Sequence, residues 1–547
     1  MFPANPTLGN TAMSATSVNA SLNRCFMRFE NRAERMEAGQ IVNTFVSVGP
    51  LLDVLSAHAN QIMYGRRGTG KTHALKYFEA DRTQAGDIAI YVDCQNIGSN
   101  QSIYDDPTLP ISERATRLLI DVCAAMHWAF LDAFSDPKRG WELAAAGPLL
   151  NALTDAISEV RIIGPVEHTV DTKAGASSSS GISLGGKVSV SPEAHIQLEL
   201  KDATSISTGT HEKTSGTEVA ALDFNFLTQT LRRLAGFVQP KRIWLLIDEW
   251  STVPSDIQPY LADLLRRSFF SIPNVTVKIA AIEHRSKFKV DTNDGHYVGF
   301  ELGADISPAI NLDDYLVFDN NEYRSTQFFR TLITNHTQGI AKEIGIDLGG
   351  LDTNSLIALS FTQENVFVEF VRATEGVPRD AMHILANAAQ RVATSAVSMP
   401  ALRAAALKFY QTDKYNAIIS NPENRELLEW IKDEVIGSKK TRAFLLPIGT
   451  EDEIIDRLFD RRALHILSRS TSAAHVPGER YILYKLDYGC YVDLINTDKY
   501  PHGFLFAETP SLDPIADVPD DDARSYRRAI LDLKKFYQMR SGRTDAT

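Results

Sequence analysis

Gly65-Arg66-Arg67-Gly68-Thr69-Gly70-Lys71-Thr72 fits the spacing GxxxxGK[ST] at every fixed position. Glycines there let successive backbone N–H groups point at an anion that Cβ atoms would obstruct. Lys71 is placed to reach the β- and γ-phosphates of ATP, and the Thr72 hydroxyl to ligate Mg²⁺. An apolar stretch, Gln61–Tyr64, runs into the loop as a short strand, and Thr72–Glu79 has helical character. The loop therefore opens a helix, whose N-terminal dipole favours negative charge. Gly65 through Thr72, with His73 at the same helix start, form the expected phosphate-binding set.

A second run complements the first. Ile243-Trp-Leu-Leu-Ile-Asp248-Glu249 is apolar until it ends in two carboxylates. A central strand carries its last residues to the carboxyl edge of a parallel sheet, where a phosphate loop also sits. Asp248 is expected to hold Mg²⁺ through water and Glu249 to polarise the attacking water. Ser183-Leu-Gly-Gly-Lys187 is similar to the signature of ABC transporters. It falls within alternating strand residues rather than at a helix start, 65 positions before Asp248, and is set aside. No nuclease cluster, spaced metal-ligand set or Ser/His/Asp arrangement stands out beside these two runs.

The elements that must position these residues follow from periodicity. Asp87–Val92 and Val275–Ile282 read as strands, and 112–134, 141–160 and 217–237 as helices. Strands alternating with helices predict an α/β fold with a parallel sheet covered on both faces. Residues 165–216 break that pattern. They are rich in Ser and Gly, and Ile182, Leu184, Val188 and Val190, then Ile196, Leu198 and Leu200, alternate as in an inserted β-ribbon. Such an apolar face calls for cover, expected from a neighbouring subunit or a partner protein, with folding back on its own domain as the alternative. Helical spacing dominates 326–414 with a break at Gly376-Val-Pro378; helix, helix, strand and strand follow over 425–496.

The chain has 547 residues, with 44% hydrophobic and 23% charged, so about two to four soluble domains are expected. A net charge of −12 excludes a general nucleic-acid coat and confines any DNA contact to a local patch. Cys25, Cys94, Cys123 and Cys490 are far apart, which predicts a reduced compartment without disulfides or a zinc ribbon. The N-terminus lacks a basic start followed by an apolar run, and the apolar stretch Leu118–Phe134 is interrupted by Asp121 and Asp132. The expectation is a cytoplasmic protein without a membrane span.

Taken in order, GRRGTGKT at 65–72, LLIDEW at 245–250, VKIAAIEH at 277–284 and EGVPRDAM at 375–382 resemble the AAA+ superfamily in its Orc/Cdc6-like branch, near the STAND ATPases. The resemblance spans roughly 30–500 and implies an ATPase core, a helical lid and a C-terminal winged-helix-like domain. It implies a polar sensor after the Asp-Glu strand, where this chain has Glu283-His284, and a lid arginine, Arg379, that meets the nucleotide phosphates. It also implies a homo-oligomer in which a neighbour supplies an arginine; Arg266, Arg267 and Arg285 are the candidates. The expected map is a flexible arm over 1–27, an ATPase core over 28–325, a lid over 326–419, a winged-helix-like domain over 420–500 and a tail with a helix over 501–547. The implied use is a nucleotide-driven switch associated with DNA; the alternative is a STAND-type signalling ATPase in bacterial antiviral defence. Thr450-Glu-Asp-Glu453, Asp456 and Asp460 make the candidate groove helix acidic, only partly offset by Arg457, Arg461 and Arg462. With Arg469 and Arg480 as the remaining positive charges near a wing, a protein partner is expected over tight DNA binding.

Overall fold

The computed structural model describes residues 15–30, 32–96, 106, 108–158, 160–163, 166–169, 211–214, 217–220, 222–292, 295–439, 441–473, 478–495 and 529–544. Five strands form the central sheet: Gln61–Tyr64 (β1), Ile88–Asp93 (β2), Ile243–Asp248 (β3), Val275–Ala281 (β4) and Ser307–Asn311 (β5). Their order is β5-β1-β4-β3-β2, all parallel. The phosphate-loop strand and the acid strand are thus separated by β4 alone, and the chain order reverses beside β1. That reversal leaves a crevice at the carboxyl ends of the strands.

β3 shows why the strand is apolar throughout. Ile243, Leu245 and Ile247 pack on one face with helices Ile111–Ser135, Leu143–Ile157, Phe224–Phe237 and Gln258–Leu265. Trp244 and Leu246 pack on the other, with Leu75 and Phe78 of helix Lys71–Gln84 and with Leu51 and Leu55. A strand covered on both faces has no polar side to display. Helix Ile111–Ser135 is long and apolar enough to cross a membrane by length and composition. Its Leu118, Leu119, Val122, Met126, Phe130 and Phe134 lie in the sheet's core instead.

Several expectations change. Ala15–Phe26, expected as part of a loose arm, is a helix whose Leu22 and Phe26 sit fully buried against the lid. The helix expected over 217–237 begins at Phe224, because the Asp223 carboxylate accepts the Asn225 and Phe226 N–H groups and caps it there. Thr217–Ala220 is a strand instead, antiparallel to Val160–Ile163, and Val166–Thr169 pairs with His211–Thr214. The alternating ribbon residues Ile182 to Leu200 lie outside the described residues.

The lid comprises Glu322–Glu343, Thr353–Ser360, Glu364–Ala373, Pro378–Val392 and Met399–Phe409. Beyond it, Ala443–Pro447 (β6), Leu464–Thr471 (β7) and Tyr481–Leu486 (β8) form an antiparallel sheet in the order β6-β8-β7. β6 is an addition to the helix-helix-strand-strand expectation; it falls between helices Pro422–Ile431 and Glu453–Asp460. The last described helix, Leu533–Thr544, falls within the tail expected over 501–547. One continuous core runs from Phe26 through Phe367, Phe370 and Leu385 of the lid to Phe444, Leu458 and Leu486 of the C-terminal sheet. Lid and C-terminal domain, read as separate units meeting near residue 420, therefore share their hydrophobic interior. Of the polar stretch at 420–424, Pro422–Asn424 already open the next helix, which Asn421 caps by accepting from the Glu423 and Asn424 N–H groups.

Candidate nucleotide site

The loop Gly65–Thr72 lies between β1 and helix Lys71–Gln84, beside the ends of β4 and β3. Among the described residues, the N–H groups of Arg67, Gly68, Gly70, Lys71 and Thr72 donate to no acceptor. Unpaired donors at a helix start form a ready anion cradle. Gly70 has φ 96°, and a Cβ there would meet nothing within 4 Å, so the backbone opens onto a cleft. That cleft, about 990 Å³ with its mouth, is walled by Glu34, Arg67, Thr72, His73, Glu249 and Arg379, among others. Lys71 Nζ is folded back on the Gly65 and Arg66 carbonyls, at 2.8 and 3.1 Å. Burial pushes its pKa down, opposed by Glu249 and Asp248.

The acid pair lies at the carboxyl end of β3. Asp248 is fully buried at the end of β3 and accepts from the Tyr91 hydroxyl at 2.8 Å and from the Glu249 N–H at 2.8 Å. Glu249 adopts φ 51°, a left-handed conformation unusual for a residue with a Cβ, and lines the cleft. Burial raises its pKa, Lys71 works against that, and Asp248 adds to it. Sequence reading missed Tyr91 and Asp93, which lie on β2 next to β3; Asp93 is in register with Asp248, and its pKa is likewise raised by burial. The alternation of Asp87–Val92 signalled that strand, but only the sheet order shows what it adjoins.

Two members of the expected phosphate set point elsewhere. The Thr69 hydroxyl is buried and bonds the Arg66 carbonyl. Arg66 turns away from the cleft. Its N–H and Nε both bond Asp313, at 2.9 and 2.7 Å, and its Nη1 bonds the Leu464 carbonyl at 2.9 Å. Its guanidinium covers the Phe459 ring at 4.4 Å, and Nη2 donates to His465 Nδ1 at 3.2 Å. Arg66 is therefore a clamp onto the C-terminal domain rather than a side-chain ligand. His73 lines the cleft, but its Nε2 also lies 3.0 Å from the Ile41 carbonyl, and burial lowers its pKa.

From Arg66 a buried polar circuit runs through the lid and back. An arginine can only donate, so His465 accepts at Nδ1 and carries its proton on Nε2, 3.0 Å from Asp487. Burial and then Arg66 keep that imidazole neutral. Asp487 bonds Lys414 at 2.6 Å, Lys414 meets Asp380 at 2.9 Å, and Asp380 meets Arg462 at 2.9 Å. Arg462 reaches the Arg67 carbonyl at 3.5 Å, which closes the circuit on the loop. The lid touches the loop as well: the Arg379 N–H donates to the Gly68 carbonyl at 3.2 Å. A Cβ on Gly68 would stand 2.9 Å from the Arg379 Cβ, so this approach requires glycine.

The remaining expected residues are held within the chain. Arg266 pairs with Asp263 and Asp305, Arg267 with Asp263, and Arg285 with Asp460. The carboxylates of helix Glu453–Asp460, expected to face an incoming partner, face the ATPase core: Asp456 meets His284 at 3.3 Å and Asp460 meets Arg285. Arg469 is bound to Glu283 at 2.8 Å and Asp314 at 3.0 Å rather than offered by a wing. Among the described residues no group of three or more metal-ligand types clusters.

A five-stranded parallel sheet, with a glycine-lysine loop after its first strand and an Asp-Glu pair after its third, has the layout of a P-loop α/β module. Residues 29–93 match the family described as ORC-CDC6-like. Among solved structures, it is similar to Drosophila ORC bound to DNA, at 10% identity and a TM-score of 0.29, covering 91% of this chain and 97% of the other. It is also similar to the Aeropyrum pernix ORC1 protein in complex with DNA, at 13% identity and a TM-score of 0.29, covering 87% and 95%. No curated protein matches the sequence.

Proposed function

We propose that this protein binds and hydrolyses ATP and that the nucleotide state sets the position of its C-terminal domain. The observation that carries the reading is the phosphate loop itself: unpaired N–H groups face the cleft, while on the same loop Arg66 and the Arg67 carbonyl are tied to the C-terminal domain and the Gly68 carbonyl to the lid. An arriving triphosphate draws Lys71 off the Gly65 and Arg66 carbonyls and occupies the free N–H groups of the loop. Glu249 polarises the attacking water, and Arg379 approaches the phosphates from the lid. Thr72 and Asp248, a hydroxyl and a carboxylate beside an anion cradle, would hold Mg²⁺, an oxygen-seeking ion. When bound, that ion offsets the charge of the β- and γ-phosphates.

The proposed use is assembly or remodelling on DNA, with homo-oligomers in which Arg266, Arg267 or Arg285 serves a neighbour's site. The intrachain bonds of Asp456, Asp460 and Arg469 favour a protein partner, as in the signalling alternative, for as long as the C-terminal domain stays docked. Lys71→Ala is expected to abolish ATP binding, and mass in solution is expected to rise with ATP and change further with duplex DNA. Full ATP affinity in the Lys71 variant contradicts the site. A mass that ignores ATP contradicts the assembly reading, and one that ignores DNA leaves the protein-partner reading standing.

A further inference from the structure

We propose that a second cavity, beside the nucleotide cleft, binds a compact phosphoanion carrying two or more phosphoryl groups. The cavity lies where the phosphate loop, the lid and the C-terminal domain meet, and spans about 990 Å³ with its opening. Arg32, Arg67, Arg285, Arg379, Arg461 and Arg462 line it, against two acids, Asp413 and Asp460. That is a strong local excess of positive charge in a chain of net charge −12.

The acids are already engaged. Asp460 pairs with Arg285, and Asp413 with Arg462 at 2.6 Å. Arg32, Arg67 and Arg461 form no ion pair among the described residues. Guanidinium groups gathered in one recess repel each other unless an anion joins them, and their planar forks match phosphate oxygens two at a time. At about 990 Å³ with its opening, the recess has room for more than one phosphoryl group, and its six arginines supply more forks than one phosphate can use. A recess bounded by three bodies suits such a compact ion better than a polymer.

Arg32, Arg67 and Arg379 also line the nucleotide cleft, whereas Arg285, Arg461 and Arg462 line the second cavity and not the cleft. Arg461 is therefore the residue that separates the two. An anion held there touches the loop through Arg67, the lid through Arg379 and the C-terminal domain through Arg461. It would hold the three bodies in the docked arrangement, whatever the rate of hydrolysis at Glu249.

The test is a calorimetric titration of the full chain with inorganic pyrophosphate, with the nucleotide site removed from competition in two ways. One sample is wild type saturated with ADP and Mg²⁺; the other is Lys71→Ala. Pyrophosphate is expected to bind both with one equivalent. Arg461→Ala should weaken that binding about tenfold, the loss of one charge-assisted contact, and leave ADP affinity unchanged. Arg461→Glu should weaken it further. No binding in the Lys71→Ala sample, or binding indifferent to both Arg461 substitutions, overturns the proposal. Failure of ADP to bind wild type counts instead against the nucleotide reading, and the Lys71→Ala sample still decides the cavity.

Discussion

On its cleft side the phosphate loop offers unpaired N–H groups, a lysine bonded only to the loop's own carbonyls and a strained glutamate across the gap. On its far side Arg66 is buried with its N–H and guanidinium bonded, and the circuit beyond it is buried too, through His465, Asp487, Lys414 and Asp380. One flank leaves its polar groups for a ligand to complete; the other pairs its charges within the chain. A loop built this way is expected to pass a change on one side to the other, and that is the coupling on which the proposed switch rests.

The far side breaks with the largest effect. Asp487 is the shared partner of His465 and Lys414, so Asp487→Ala leaves a buried ammonium facing Asp380 alone. Removing one partner of such a buried set costs about 3–5 kcal/mol, readable as a fall in the urea midpoint. A midpoint within error of wild type would mean that the circuit holds nothing together.

The cleft side breaks through chemistry rather than stability. Glu249→Gln keeps the shape and loses the water-activating charge, so turnover should fall by about two orders of magnitude while ATP still binds. Steady-state hydrolysis together with nucleotide affinity checks both halves. Burial raises the Glu249 pKa, so the carboxylate gains a proton at a higher pH than an exposed one. Protonated, it cannot polarise water. The wild-type rate should therefore climb as pH rises through that raised pKa and level off above it, and the residual rate of Glu249→Gln should lack this limb. Asp93 titrates upward in the same site, so an unchanged limb in the variant would reassign the titration to it.

How much of this contrast was legible in the sequence depends on distance along the chain. The loop and Asp248-Glu249 were readable because each is a short local run whose spacing is fixed by phosphate and sheet geometry. β5 was not, because Pro308 and Asn311 interrupt a strand that needs only one neighbour at the sheet edge. The circuit left no local trace: Arg66 and His465 are 399 positions apart, and neither stands in a pattern that names the other. Asp456 and Asp460 misled in a different way. Carboxylates on a short helix read as a solvent face or a partner surface, whereas here they meet His284 and Arg285 just beyond the end of β4.

The smallest effect sharpens the comparison from the strained residue. Glu249 holds φ 51°, which costs a residue with a Cβ on the order of 1 kcal/mol. Glu249→Gly should relieve that strain and stabilise the fold by about 1 kcal/mol while hydrolysis is lost. A destabilised glycine variant would mean that the glutamate side chain, not the backbone, is what that turn needs.

The claim that the two flanks act as one is tested most directly by amide hydrogen exchange in Leu464–Thr471, the strand whose first carbonyl receives Arg66. The protein to use is Glu249→Gln, expected to hold ATP while hydrolysing it about a hundredfold more slowly, alongside the same protein with Arg66→Met added. Saturating ATP should change protection across 464–471 in the first protein and leave it unchanged in the second. An identical ATP response in both, or none in the first, would contradict the account.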